Sequence, residues 1–254
     1  MKTLLRVIPT MNPNNGGTCQ GIRNLAQPLR SLGVETEVIS LDESEDYGDT
    51  FSIHAIGRGR GPVAYSAKLK PWLHDNLDRF EAVIVHGLWQ YYSSAVVSTI
   101  VKERAVRKAA PKLFVMPHGM LDPWIHRAPS RRIKAVRNWL YWKTVEHRVV
   151  SSADAMLFTC ERELELARQP FRPYSPRREI NVGYGVECPP EQTSAQLASF
   201  RRRCPELGGR PDFLYLSRIH PKKGIEHLLN AYATLTSQVG FLLPALGVAG
   251  PIDS

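Results

Sequence analysis

TLLRVIPTMNPNNGGTCQGIRNLAQPLRSLGVETEVIS, residues 3 to 40, holds one full cycle of the pattern that sets the fold. Residues 3–9 are a short apolar run without alternation, which is how a strand buried on both faces reads. The polar, glycine-bearing stretch that follows reads as a loop. From about Thr18 a helix is expected, because Ile22, Leu25, Leu29 and Leu32 recur at helical spacing and Gly33 stands where a helix would end. Pro28 falls inside it and predicts a kink or an early break, since proline gives no N–H to the preceding turn. VETEVIS (34–40) alternates and returns as the next strand.

The cycle repeats. FSIHAIG (51–57), AVIVHG (82–87), KLFVMPHG (112–119) and AMLFTC (155–160) are short apolar runs ending in loops. Between them lie helix-like segments near 64–79, 92–108 and 130–150. Strands alternating with helices predict an α/β fold with a parallel sheet covered on both faces. Ligands of such sheets bind beyond the carboxyl ends of the strands. That rule selects Gly16-Gly17, HGLW (86–89) and PHGMLD (117–122), which are expected to converge on one cleft. Residues 188–211, rich in proline, glycine and arginine, read as a linker with one short helix. DFLYLS (212–217) then opens a new strand-and-helix unit, and ALGVAGP (245–251) supplies another strand.

The chain has 254 residues, 43% of them hydrophobic, and a net charge of +9, which favours anionic partners. Nucleic acid is not expected, because the basic residues are spread over several segments without a recognised motif. Cys19, Cys160, Cys188 and Cys204 form no CxxC pair, so neither zinc nor a disulfide framework is indicated, and reduced thiols in a cytoplasmic protein are expected. Arg6 interrupts the apolar start and no small-residue cleavage site follows, which argues against a signal peptide. No stretch approaches the ~20 apolar residues of a membrane-spanning helix. Residues 127–150 carry seven Lys or Arg and a single Glu. On a helical wheel Ile133, Val136, Leu140 and Thr144 make one face, and Ala135, Trp139, Trp142 and Val149 a second. A core helix with solvated arginines is one reading. Salt-sensitive contact of Arg131–Arg148 with an anionic membrane on the inner face of the cell is the other.

Several positions carry chemistry. In SRIHPKKG (217–224) Arg218 follows a strand and Lys223 stands at the mouth of a helix. Two cations with free helix N–H groups can hold a diphosphate, whereas the plainer reading is a solvated basic turn. NNGG lacks the full GxGxxG fingerprint, and its glycines either permit a turn or admit a ligand to the backbone. His118 sits at a strand end with Asp122 four residues on, and His86 holds the equivalent place one strand earlier. Histidine there can polarise a hydroxyl or donate to phosphate, although structural hydrogen bonding is the commoner role. No nucleophile elbow, HExxH, Walker A loop or metal-ligand cluster is present.

In order along the chain, Gly16-Gly17, HGLW, PHGMLDPW, SSADAMLFTCERELE and SRIHPKKGIEHLLNAY resemble glycosyltransferase family 4, of the GT-B fold. The resemblance covers nearly the whole chain. It implies a Rossmann-like acceptor domain (1–187), a linker (188–211) and a second Rossmann-like, donor-binding domain opening at 212–254. It assigns Arg218 and Lys223 to the donor diphosphate, with Gly224 following as the pattern requires. Gly16 and Gly17 fall in the loop approaching the donor phosphate and reacting sugar, and His118 matches the active-site histidine. His86, Trp89 and Asp122 are placed on the acceptor side. VGYGVE (182–187) departs from the family, which more often has Asn where Tyr184 stands. The implied reaction moves a sugar, with retention and without metal or cofactor, from a nucleotide-sugar to a glycan or polyprenyl/lipid-linked acceptor in cell-surface polysaccharide or glycolipid synthesis. Family members continue beyond VAGP through a glutamate pair that holds the donor. The sequence is therefore expected to be truncated within the donor domain, through an interrupted gene, as a fragment, or with a complementing chain supplying the remainder. A non-catalytic acceptor- or partner-binding module is the alternative.

Overall fold

Seven parallel strands form the sheet of the first 187 residues: β1 (Lys2–Ile8), β2 (Val34–Ser40), β3 (Ser52–Ala55), β4 (Ala82–His86), β5 (Lys112–Met116), β6 (Ala155–Phe158) and β7 (Glu179–Asn181). The structure is a computed structural model describing residues 2–43, 46–106, 110–124, 132–186, 188–207, 211–220, 223–239 and 243–251. Arg131, with residue 130 at the start of the expected long helix, and Pro221 and Lys222 of the basic loop lie outside the described residues. The chain divides into two units, Met1–Glu187 and Cys188–Ser254.

In the first unit the strand order is β3-β2-β1-β4-β5-β6-β7. The chain moves outward from β1 through β2 to β3, then crosses back to place β4 on the other side of β1. The β1/β4 junction is thus the topological switch point, where the loops after adjacent strands diverge and leave a crevice. On one face Leu5, Val7, Val83, Val85, Leu113 and Val115 pack against α2 (Leu69–Asn76) and α3 (Tyr91–Val106). On the other, Ile8 and Val38 pack against Cys19 and Ile22 of α1 (Gly17–Ser31).

Five readings are corrected. α1 runs unbroken through Pro28 to Ser31. Pro28 is exposed, so water can serve the carbonyl it leaves unpaired, while burial of Cys19, Ile22 and Ala26 holds the helix. Leu32 lies past the end of α1 and is exposed. α2 begins at Leu69, not near residue 64. β7 was not expected, because Glu-Ile-Asn at the sheet edge has no apolar run.

The fifth correction concerns the basic segment. It forms α4 (Arg132–Tyr141), a π-helical turn at Trp142–Glu146 and α5 (His147–Ser152). Asn138, Trp142, Glu146 and Val150 are buried, whereas Ile133, Val136, Trp139 and Leu140 are exposed. A strict four-residue spacing drifts about 40° per step around a 3.6-residue helix. The wider π turn absorbs that drift, so the buried stripe is one that an α-helical wheel does not display.

The second unit contains α7 (Ser194–Arg203), capped by Thr193 and Gln196 in a capping box. It follows α6 (Glu161–Ala167) of the first unit. A two-stranded parallel sheet, β8 (Asp212–Leu216) and β9 (Ala245–Ala249), is joined through α8 (Ile225–Val239). A Cβ on Gly250 would lie 1.9 Å from the Ser217 carbonyl oxygen, so only glycine lets the two strand ends approach so closely.

Candidate functional site

The loop after β1 is built to leave a backbone surface open. Asp42 accepts from Thr10 Oγ1 (2.6 Å) and Met11 N (2.7 Å), and Arg23, paired with Asp49 at 2.6 Å, donates to the Met11 carbonyl at 2.7 Å. The chain then turns at Gly16 (φ 96°, ψ −159°), a region reserved for glycine, and enters α1 at Gly17. Nothing lies within 4 Å of where either glycine would carry a Cβ. The N-terminus of a fifteen-residue helix therefore begins beside unobstructed backbone.

Beyond β4 and β5, His86 and His118 meet. His86 Nδ1 and His118 Nε2 are 2.8 Å apart, with rings nearly parallel at 5.1 Å. On its other side His86 Nε2 lies 3.2 Å from Nη1 of Arg6, which projects from the middle of β1. Arg6 and His86 are buried, at 4% and 3% exposure. Burial lowers the Arg6 guanidinium to about 10. Burial also holds His86 well below its ordinary 6.5, with Arg6 and then His118 adding to the effect. His118, half-buried, is lowered to about 4, chiefly by burial, with Glu163 opposing and Arg6 reinforcing the shift. Both histidines are neutral near pH 7.

His118 has φ +51°, a left-handed conformation that costs of order 1–3 kcal/mol and needs outside support. Glu163 in the first turn of α6 supplies it. One carboxylate oxygen accepts from Gly119 N at 2.6 Å, and the other accepts from Thr159 N (2.8 Å) and Oγ1 (2.6 Å). Tyr184 then joins this turn to the glycine loop. Its ring meets His118 edge-on at 6.3 Å, and its hydroxyl donates to the Gly17 carbonyl at 2.5 Å. The hydroxyl fits because residue 21 is glycine, where a Cβ would sit 1.9 Å from it. The position at which the sequence departs from the expected asparagine is thus a packed element of the site.

The predicted loops are brought together at Gly16, Gly17, His86 and His118. The His86 ring is enclosed, and both of its nitrogens are engaged by Arg6 and His118. Trp89 has φ +71° and its N–H donates to Glu146 at 2.6 Å. Its ring packs 5.3 Å from Phe171 and 6.1 Å from Trp142, and one edge lines a cleft of ≈ 390 Å³ with Gln90, Tyr92, Met120, Lys134 and Arg137. Asp122 shapes the turn after His118 by accepting from Trp124 N at 2.9 Å and does not line that cleft. In the second unit Arg218 and Lys223 are exposed, and α8 begins just after Gly224 (φ +70°). Among the described residues no group of three His, Cys, Asp or Glu is placed to hold a metal ion, and no helix is long and apolar enough to cross a membrane.

Sequence reasoning passed over Arg6, Glu146, Glu163 and Gly21. Arg6 and Glu146 did leave a signal: a cation inside an apolar strand, and the single acid of a cationic segment.

Comparisons with known proteins agree with this geometry. The glycosyltransferase of Rickettsia africae superposes with a TM-score of 0.57 at 14% identity, over 100% of this chain and 69% of its own. HepE from Anabaena, solved in complex with UDP-glucose, gives 0.56 at 12% identity, over 99% and 69%. A Listeria monocytogenes protein described as a UDP-N-acetylglucosamine 2-epimerase gives 0.51 at 12%, over 100% and 70%. At these identities the likeness shows the GT-B, Rossmann-like fold alone, which hosts more than one chemistry. No curated protein matches the sequence. The sequence model of the glycosyl transferase 4-like domain matches residues 16–185, from the open glycine loop through His86 and His118 to Tyr184 and Gly185. The chain therefore belongs to the glycosyl transferase 4-like family.

Proposed function

We propose that this protein transfers a sugar from a nucleotide-sugar to a glycan or lipid-linked acceptor, with retention and without a metal or cofactor. The observation that carries this reading is the convergence of the open Gly16-Gly17 backbone and His118 at the switch point. The leaving diphosphate gains negative charge as the sugar–oxygen bond breaks, so the catalytic task is to place fixed donors against it. Backbone N–H groups at the start of α1 and the His118 ring are the first unit's donors for sugar and phosphate. The second unit's own basic loop, with Arg218 and Lys223, is suited to a diphosphate. The Trp89 cleft, edged by Lys134 and Arg137, suits an acceptor bearing negative charge.

The exposed Ile133, Val136 and Leu140, set among Lys134, Arg137 and Lys143, fit reversible contact with an anionic membrane from the cytoplasmic side, where a lipid-linked acceptor would be met. Incubation with a panel of nucleotide-sugars, UDP-glucose first because the Anabaena structure holds it, should release nucleoside diphosphate in an acceptor-dependent manner. Absence of both turnover and binding across the panel would reject the reading.

A second reading has its own observation. Phe213, Leu214 and Leu216 of β8 are 51%, 59% and 74% exposed, so the small parallel sheet leaves apolar side chains uncovered on both faces, whereas parallel sheets are ordinarily buried. This supports a chain that works with a partner completing that sheet. Co-purification of a neighbouring gene product, and turnover only in its presence, distinguishes the two.

A further inference from the structure

The contacts of Arg6 fix where the protons of two histidines lie. A guanidinium has only N–H donors and no lone pair to offer. At 3.2 Å, Arg6 Nη1 must therefore donate, and His86 Nε2 must be the unprotonated nitrogen. Neutral His86 then carries its proton on Nδ1, 2.8 Å from His118 Nε2. That proton is donated, so His118 Nε2 is in turn an acceptor and His118 carries its proton on Nδ1. His118 Nδ1 has no hydrogen-bond partner among the described residues, yet is not sealed from solvent.

We propose that Arg6 and His86 are positioning residues which hold the His118 proton on Nδ1, so that His118 offers the bound nucleotide-sugar an N–H donor and not a lone pair. The orientation toward substrate rests on the function proposed above, whereas the proton assignment stands on the protein alone. In this arrangement His118 cannot serve as a general base without reversing its hydrogen bond with His86 and breaking the one from Arg6, which sets a His86 N–H against the guanidinium. It instead supplies a fixed, neutral donor for an oxygen of the sugar or departing phosphate, the kind of group that stabilises developing charge. Arg6 lies in a buried strand interior with no carboxylate among its hydrogen-bond partners in the described residues and with Nε unbonded. Such a placement is unfavourable for stability alone.

The decisive measurement is ¹⁵N-resolved NMR of the ring nitrogens in the full chain near neutral pH. Both His86 and His118 should show a pyrrole-like Nδ1 and a pyridine-like Nε2. A His118 proton on Nε2 in the wild-type protein overturns the proposal, whatever any variant does. Arg6→Met should let both rings exchange between tautomers, and Arg6→Lys, which keeps a donor, should restore the wild-type pattern. An Arg6→Met protein that folds and keeps the wild-type tautomers also overturns it. Where turnover is measurable, Arg6→Met should lower kcat about tenfold to a hundredfold with KM little changed. The wild-type tautomers together with turnover unaffected by His118→Phe would support the relay's chemistry while rejecting the catalytic reading of His118, which separates the two claims.

Discussion

Glu146 offers the sharpest test of the site's electrostatics. Its side chain is fully buried, one oxygen accepts from Trp89 N (2.6 Å) and Ser93 Oγ (3.1 Å), and the other has no partner among the described residues. Burial pushes the carboxyl up to about 7, against its ordinary 4.5, and the two hydrogen bonds only partly oppose the shift. Between those values the folded state binds more protons than the unfolded one. Stability from this group is therefore complete below pH 4.5 and is lost as pH rises through 7. The full difference is about 3 kcal/mol, of which about 2 kcal/mol disappears between pH 5.5 and 8. His118, lowered from 6.5 to about 4, works in the opposite direction: protonation destabilises the fold, so its stability returns as pH rises from 4 to 6.5. His86 acts in the same sense.

Because the two effects oppose, the wild-type pH profile alone is ambiguous, and comparison with Glu146→Gln resolves it. Glutamine keeps the oxygen that serves Trp89 and Ser93 but cannot ionise. The histidine contribution is common to both chains, and any fixed cost of the substitution cancels between pH values. The variant should gain about 2 kcal/mol on wild type on going from pH 5.5 to 8, or about 4–8 °C in melting temperature for a unit of this size. All five tryptophans lie before residue 188, so urea unfolding followed by tryptophan fluorescence reports the first unit. Parallel pH profiles for the two proteins would show that Glu146 titrates normally and would refute the reasoning.

Three further tests address the glycine loop and the membrane contact. Gly17→Ala should change stability by less than about 1 kcal/mol, since α1 begins there in open space, yet weaken nucleotide-sugar binding in calorimetry. Gly16→Ala should destabilise the free protein by about 1–3 kcal/mol, because its backbone lies where only glycine is relaxed. Sedimentation with anionic vesicles should be appreciable at low salt and fall as salt rises, at about 1 kcal/mol for each basic residue near the surface. Binding insensitive to salt, or retained after Ile133→Asp with Leu140→Asp, would remove α4 as the contact.

The sheet was legible because its signal is local. A parallel strand buried on both faces is apolar along most of its length, as β1, β4, β5 and β6 are, and helices must separate such strands. The glycine loop and His118 were legible for a related reason, since strand ends are where this architecture places ligands. What escaped depends on pairs remote in sequence. Tyr184 acquires its role only through the space left by Gly21, and Trp142 and Glu146 become inward-facing only once a π turn shifts the helix phase.

Arg6 shows why such pairs are hard to foresee and how they can be found. Alone it is only a charge that interrupts an apolar run. The β1–β4 register sets Arg6 beside Ile84, and His86, two residues further along, returns to the same face of the sheet. The two residues that violate the sheet's apolar pattern on adjacent strands therefore violate it together, at the switch point, and are hydrogen-bonded to each other. A buried guanidinium without a carboxylate is costly, and the cheaper solution, an aliphatic residue at either position, would leave the other polar group unpaired. Violations that coincide in space at a ligand-binding position mark where stability has yielded to chemistry. Pairing the polar interruptions of neighbouring buried strands is a search that needs only the predicted strand order, and here it would have led from Arg6 to His86 and on to His118.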